Sequence, residues 1–181
     1  MAGLPYFGKG DLFYFAIPSD QLPSTMTVEF FKKIHSLPYT DEKYHFKTKN
    51  VVDLEDFFWS YLVSLDPSIS KEEVRNFYRG TRMIPDETHG FAGFPEESQF
   101  WIIEQEKINK IVNLVPKFNK ETMRKFVPDK YYPDPETLRF PLFRNLDEWL
   151  TYFVEQSVQE ISFIINHLEI GMIVLVVWDQ S

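Results

Sequence analysis

The segment that most constrains the fold begins at Asn145. From there, apolar residues recur at the interval of an α-helix: Leu146, Trp149, Leu150, Phe153, Val154, Val158, Ile161, Ile164, Ile165 and Leu168. The period holds for about six turns and predicts one long amphipathic helix. Asn145 followed by Glu148 has the form of a capped start, and Gly171 suits the left-handed residue just past the end. Met172 to Trp178 is then apolar at every position. A strand apolar on both faces belongs inside a sheet. Such a strand needs neighbours on both sides and helices to cover it. The expected fold class is therefore α+β: a small mixed sheet with packed helices, and a long C-terminal helix followed by a buried terminal strand. A competing reading breaks the helix near Ser157 and makes Ile161 to Ile165 a strand, because short apolar runs fit either period.

The rest of the chain supplies the other parts. Leu12 to Ile17 is dense in aromatics and ends at Pro18, as a buried strand would. Thr25 to Ser36 predicts a short helix, and Tyr44 to Val51 an edge strand guarded by Lys43, Lys47 and Lys49. Asp53 is the expected N-cap of a helix carrying Leu54, Phe57, Phe58, Tyr61, Leu62 and Leu65, stopped by Asp66-Pro67. Ser70-Lys71-Glu72-Glu73 is a capping box, stapled by Ile69 and Val74. That helix turns Val74, Phe77 and Tyr78 inward and ends at Gly80. Thr81 to Pro95 has loop character, with a short strand expected at Gly90 to Phe94. A helix from about Glu96 should bury Phe100, Ile103, Ile108, Ile111, Val112 and Val115. A short one should cover Asn119 to Phe126, stapled by Phe118 and Met123. Val127 to Phe143 holds four prolines and reads as an extended connection tied down by its aromatics.

This order of parts resembles the YfbM-like family of uncharacterised bacterial proteins. The resemblance rests on the aromatic strand Leu12 to Ile17 and the acidic-aromatic run Asp53-Leu54-Glu55-Asp56-Phe57-Phe58-Trp59-Ser60-Tyr61-Leu62. It rests also on Arg124-Lys125-Phe126 leading to Tyr132-Pro133, and on the helix, glycine turn and strand of Leu146 to Trp178. The proline content of Val127 to Phe143 departs from that pattern. The resemblance implies an α+β domain and carries over no activity, cofactor or catalytic residue.

Composition bounds the function. With 181 residues the chain suits a single domain, 1–181, large enough to bury roughly 70% of its unfolded surface. It has no cysteine, which excludes disulfides, thiolate metal sites and cysteine nucleophiles. A net charge of −8 argues against nucleic acid and anionic membrane as partners. The apolar run Met172 to Trp178 is far short of the roughly 20 residues that span a bilayer. Met1-Ala2-Gly3-Leu4-Pro5 has neither a basic n-region nor an apolar h-region, so a cytoplasmic location is the expectation.

Motifs for chemistry are few. Gly8-Lys9-Gly10 precedes a strand, whereas a phosphate loop follows one. The histidines His35, His45, His89 and His167 show no ligand spacing, so no metal or cofactor is expected. His35 and His167 fall near helix C-termini, where the dipole favours an imidazolium. No Gly-x-Ser-x-Gly or His-Glu-x-x-His occurs.

Two functional readings follow. In the first, the chain is a non-enzymatic protein-binding module, immunity- or antitoxin-like, with a basic protein as its partner. From Asn145 to Ser181 there is no Lys or Arg, while Asp147, Glu148, Glu155, Glu160, Glu169 and Asp179 are negative. Glu148, Glu155 and Glu160 would form the docking face. The bland counterpart is that the acids are solvated or matched by Lys117, Lys120, Arg124, Lys125 and Lys130. In the second, the region from Arg79 to Trp101 forms the pocket of a small-molecule-binding protein or metal-independent enzyme. Arg79, Arg82, Glu87, His89 and Trp101 are its candidate residues, clustered around a glycine-containing loop.

Overall fold

The computed structural model describes residues 12–36, 38, 39, 41–48, 51–87, 99–127 and 145–178. Among them are five strands: β1 (Leu12–Pro18), β2 (His45–Thr48), β3 (Arg82–Met83), β4 (Gln99–Ile103) and β5 (Met172–Trp178). The helices are α1 (Val28–Ile34), α2 (Val51–Leu65), α3 (Lys71–Arg79), α4 (Gln105–Val112), α5 (Lys120–Arg124) and α6 (Leu146–Glu169). The protein is thus α+β.

The strands form one sheet in the order β2-β1-β5-β4-β3. As its apolar run demands, β5 lies in the middle, flanked by β1 and β4. The sheet is antiparallel at every strand pairing, where a mixed one was expected. Among the described residues, parallel pairing occurs only as an isolated bridge between Met26 and Asp86. The physical reason is the connectivity: β5 sits between β1 and β4 and runs against both.

Alternation along the strands divides the core in two. Leu12, Tyr14, Ala16, Val174 and Val176 pack against Phe57, Phe58, Tyr61 and Tyr78 of α2 and α3 and against Ile161 and Ile164 of α6. The opposite face presents Phe13, Phe15, Ile17, Leu175 and Val177 to Phe31 and Ile34 of α1. Burying one Phe stabilises by about 1.5–3 kcal/mol, so these two layers dominate the energetics.

Helix α6 runs unbroken through Ser157, whose hydroxyl donates to the carbonyl of Phe153 at 2.9 Å. The competing break is therefore absent. Asn145 Oδ1 accepts the Glu148 N–H at 2.9 Å, and Gly171, at φ 78°, starts the turn into β5. The capping box of α3 is complete. Ser70 Oγ accepts the Glu73 N–H at 3.2 Å, and Glu73 Oε2 accepts the Ser70 N–H at 2.8 Å. Burial acts to raise the Glu73 carboxyl. It is outweighed by hydrogen bonds from Ser70 and Lys110, which hold it below its ordinary range.

Two expectations fail locally. Helix α2 starts at Val51, so Asp53 lies within its first turn and not at its N-cap. Gln99 to Ile103 is a strand and not the first turn of a helix; α4 begins only at Gln105. Phe100 and Ile102 point to one core and Ile103 to the other, which is the two-residue period of a strand. The expected strand at Gly90 to Phe94 and the proline-rich stretch 128–143 lie outside the described residues.

Candidate functional site

On the face covered by α2, α3 and α6, residues of α2, α3, β4 and β5 line a cleft of about 620 Å³. Trp59 of α2, Trp101 of β4 and Trp178 of β5 line it together with α3. The pairing of Gln99 with Trp178 and of Trp101 with Val176 puts Trp101 and Trp178 on the same face as diagonal neighbours. All three indoles are half-buried.

Helix α3 forms the wall. Lys71, Arg75 and Arg79 recur every four residues, and Glu72, Asn76 and Gly80 form the stripe beside them. Val74, Phe77 and Tyr78 anchor the other side of the helix in the core, so the basic stripe must face out. Gly80 sets the distance. Its φ is +98°, and a Cβ built on it would lie 2.4 Å from the Cβ of Trp101. The chain past Gly80 joins β4 at once: the Thr81 N–H donates to the carbonyl of Ile102 at 2.7 Å. Only glycine combines that backbone angle with that approach.

Two of the cations lie over indoles. Lys71 Nζ sits 4.5 Å from the ring centre of Trp59, and the Arg79 guanidinium 4.4 Å from that of Trp178. Trp101 Nε1 donates to Gln99 Oε1 at 3.1 Å. Trp59 Nε1 is buried with no hydrogen-bond acceptor among the described residues. Among the described residues, Arg75 makes no ion pair, and the ring of Trp101 has no aromatic or cationic partner. Among the described residues of the lining, Glu72 is the one carboxylate, against three cations. A basic aromatic hollow on an acidic chain can hold a negatively charged group and, beside it, a flat apolar one.

The sequence pointed to Arg79 and Trp101, and both line this cleft. Arg82 does not: it is exposed on β3 and pairs with Glu104 at 3.1 Å. Glu87 is exposed beside the Met26–Asp86 bridge, its N–H donating to Met26, away from the lining. His89 lies outside the described residues. Trp59, Lys71, Arg75, Asn76 and Trp178 were missed, although the four-residue spacing of Lys71, Arg75 and Arg79 was there to be read.

The acidic face is different from what the sequence suggested. Glu160 is buried, and Tyr14 Oη donates to its Oε1 at 2.6 Å, so it cannot meet a docking partner. Its place on the helix matches the inward stripe of Ser157, Ile161 and Ile164. Glu155 is exposed but lies 3.6 Å from Lys120 Nζ. Asp147 is ion-paired with Arg124. Glu148 stands in the first turn of α6, half-buried. The basic stretch of α5 thus packs beside the acids of α6, and Asp179 lies outside the described residues.

Among the described residues, no three His, Cys, Asp or Glu side chains are grouped to hold a metal ion. His35 caps the C-terminus of α1, yet it is not the imidazolium that the dipole suggested. Burial lowers its pKa to about 4, with a smaller contribution from His45. Its ring packs on Phe31 and Phe15, at centroid distances of 4.3 and 5.2 Å. His167 ties α6 to the loop before β2, its ring nitrogens 2.7 and 2.8 Å from the carbonyls of Phe163 and Lys43. No helix among the described residues is long and apolar enough to cross a membrane.

Comparison with family models, with curated proteins and with solved structures finds no match to this chain.

Proposed function

We propose that this chain is a binding protein whose site is the tryptophan cleft, and that its ligand is a small anion bearing a flat ring. The observation that carries the reading is the convergence of three indoles, from three elements far apart in sequence, on one basic stripe. A volume of about 620 Å³ lies in the range of ordinary small-molecule pockets, roughly 300–1,000 Å³. Indole faces stack flat rings, and a guanidinium fork suits a carboxylate or phosphate. The reading of α6 as a docking face for a basic protein has less support, because Glu160 is buried and Lys120 lies 3.6 Å from Glu155.

The protein carries its own reporter, since three of its four tryptophans line the cleft. We expect 1-anilinonaphthalene-8-sulfonate, a fused-ring anion, to bind saturably at one site and quench the indole emission. Trp101→Ala and Arg75→Ala should each weaken that binding, and Trp149→Phe should leave it alone. Binding that is non-saturable, or indifferent to Trp101→Ala and Arg75→Ala, overturns the proposal.

A further inference from the structure

We infer that the ligand of this cleft is a nucleoside monophosphate, an inference that rests on the binding-site reading above. It comes from the groups in the lining that have no ion-pair or ring partner among the described residues. Lys71 and Arg79 already lie over the rings of Trp59 and Trp178. Trp101, Arg75 and Asn76 are left. The Trp101 indole is tethered at its N–H by Gln99, which fixes the ring, while its faces have no aromatic or cationic partner among the described residues. The Arg75 guanidinium has no acid and no acceptor there, and the Asn76 carboxamide makes no hydrogen bond.

Each idle group asks for one feature of a ligand. The part of the Trp101 indole that the core leaves uncovered can stack a planar ring, whatever its edge pattern. The free guanidinium takes a dianionic phosphate through two parallel N–H donors. The free carboxamide offers a donor beside an acceptor, and the edge of a nucleobase offers the matching acceptor beside a donor. Sugar phosphates lack the ring, aryl phosphates lack the edge, and nucleosides lack the anion. A phosphorylated nucleoside has all three. Arg75 and Asn76 adjoin on one helix and share the lining with Trp101, so base and phosphate are engaged within one cleft. The site holds one nucleotide and not a strand: the −8 charge of the chain opposes a polymer that brings a further phosphate with every residue.

Calorimetric titration of the full chain with adenosine, guanosine, cytidine and uridine 5′-monophosphates, adenosine, phenyl phosphate and orthophosphate tests this. At least one nucleotide should bind about tenfold or more tightly than phenyl phosphate, adenosine or orthophosphate. Arg75→Ala should weaken the nucleotide by about 10- to 100-fold and leave adenosine unchanged, the scale of a charge-assisted contact. Asn76→Ala should weaken the nucleotide about tenfold and leave phenyl phosphate unchanged. Trp101→Phe keeps an apolar ring on β4 and should retain most of the affinity, whereas Trp101→Ala should lose about tenfold. Phenyl phosphate binding as tightly as every nucleotide overturns the inference and leaves the cleft as an anion site. So does the absence of nucleotide binding by a protein that still takes 1-anilinonaphthalene-8-sulfonate at Trp101. Failure of both ligands overturns the inference together with the reading beneath it.

Discussion

Helices α3 and α6 each carry a one-sided excess of charge, and the protein treats the two in different ways. Three acids of α6 find partners among the described residues. Asp147 meets Arg124, Glu155 meets Lys120, and Glu160 is drawn inside to Tyr14. The cations of α3 find indoles, and Arg75 finds nothing charged among the described residues. Along the sequence α6 was the conspicuous case, because it lacks any Lys or Arg of its own. In space the conspicuous case is α3. What decides is the element that packs opposite: a basic helix faces α6, and a row of tryptophans faces α3. An excess along the chain is evidence of a free surface only when nothing of the opposite sign lies across from it.

The contrast depends first on how α3 is held. Gly80 keeps the basic stripe against β4, and no other residue fits there. Gly80→Ala adds left-handed strain of about 1–2 kcal/mol and an overpacking cost of about 1–3 kcal/mol against Trp101. We expect a loss of roughly 2–5 kcal/mol in urea unfolding. A variant as stable as the parent would mean that α3 and β4 are not pinned at this point, and the cleft would lose its rigid wall.

A third fate for a charge is to be neutralised, and His35 shows it. The unfolded chain takes up a proton near pH 6.5, while burial keeps the folded imidazole neutral down to about pH 4. More protons bind to the unfolded state across that window, so stability is full above pH 6.5 and falls as the pH drops toward 4. The loss reaches up to about 3 kcal/mol, at 1.36 kcal/mol per unit. His45, lowered by burial and then by Lys47, adds to the same slope. Replacing His35 with Gln should flatten the curve of urea midpoint against pH between 4.5 and 6.5. An unchanged slope would show that the helix end, and not burial, governs this histidine.

Glu160 separates a matched acid from a docking one. Glu160→Ala deletes a buried acceptor and leaves the Tyr14 hydroxyl one partner fewer, a loss of about 2 kcal/mol. Glu155→Ala on the exposed side should cost less than about 0.5 kcal/mol. Equal and small effects at both positions would restore Glu160 to the surface and revive the acidic face.

These outcomes bear on how much of the molecule could be read in advance. The α6–β5 unit was legible because its period persists for six turns and its strand is apolar at every position. The capping box of α3 was legible because it is a local device, closed within four residues. Strand β4 was not. Five residues hold too few repeats to tell a period of two from one of 3.6: Phe100 and Ile103, three apart, fit one face of a helix, and in the strand both are buried only because both faces of the sheet are covered. The cleft followed the same rule. Arg79 and Trp101 were visible as neighbours of one loop. Trp59 and Trp178 enter the site only because β4, once a strand, pairs with β5 and brings α2 and α3 over its end. A site built from four elements is invisible until the sheet order is known.

The smallest effect is the sharpest test of the comparison. The Lys120–Glu155 pair is exposed on both sides, so a double-mutant cycle should give a coupling under about 0.5 kcal/mol. Arg75→Ala should do still less, shifting the urea midpoint within error, because the side chain is exposed and meets no acid. Yet the same change should abolish most of the ring-anion binding that Lys120→Ala leaves intact. A residue silent in folding and decisive in binding is what an unmatched charge on a functional wall predicts. If Arg75→Ala instead destabilises the fold by 1 kcal/mol or more, the guanidinium has a structural partner. The stripe on α3 would then be matched like the acids on α6.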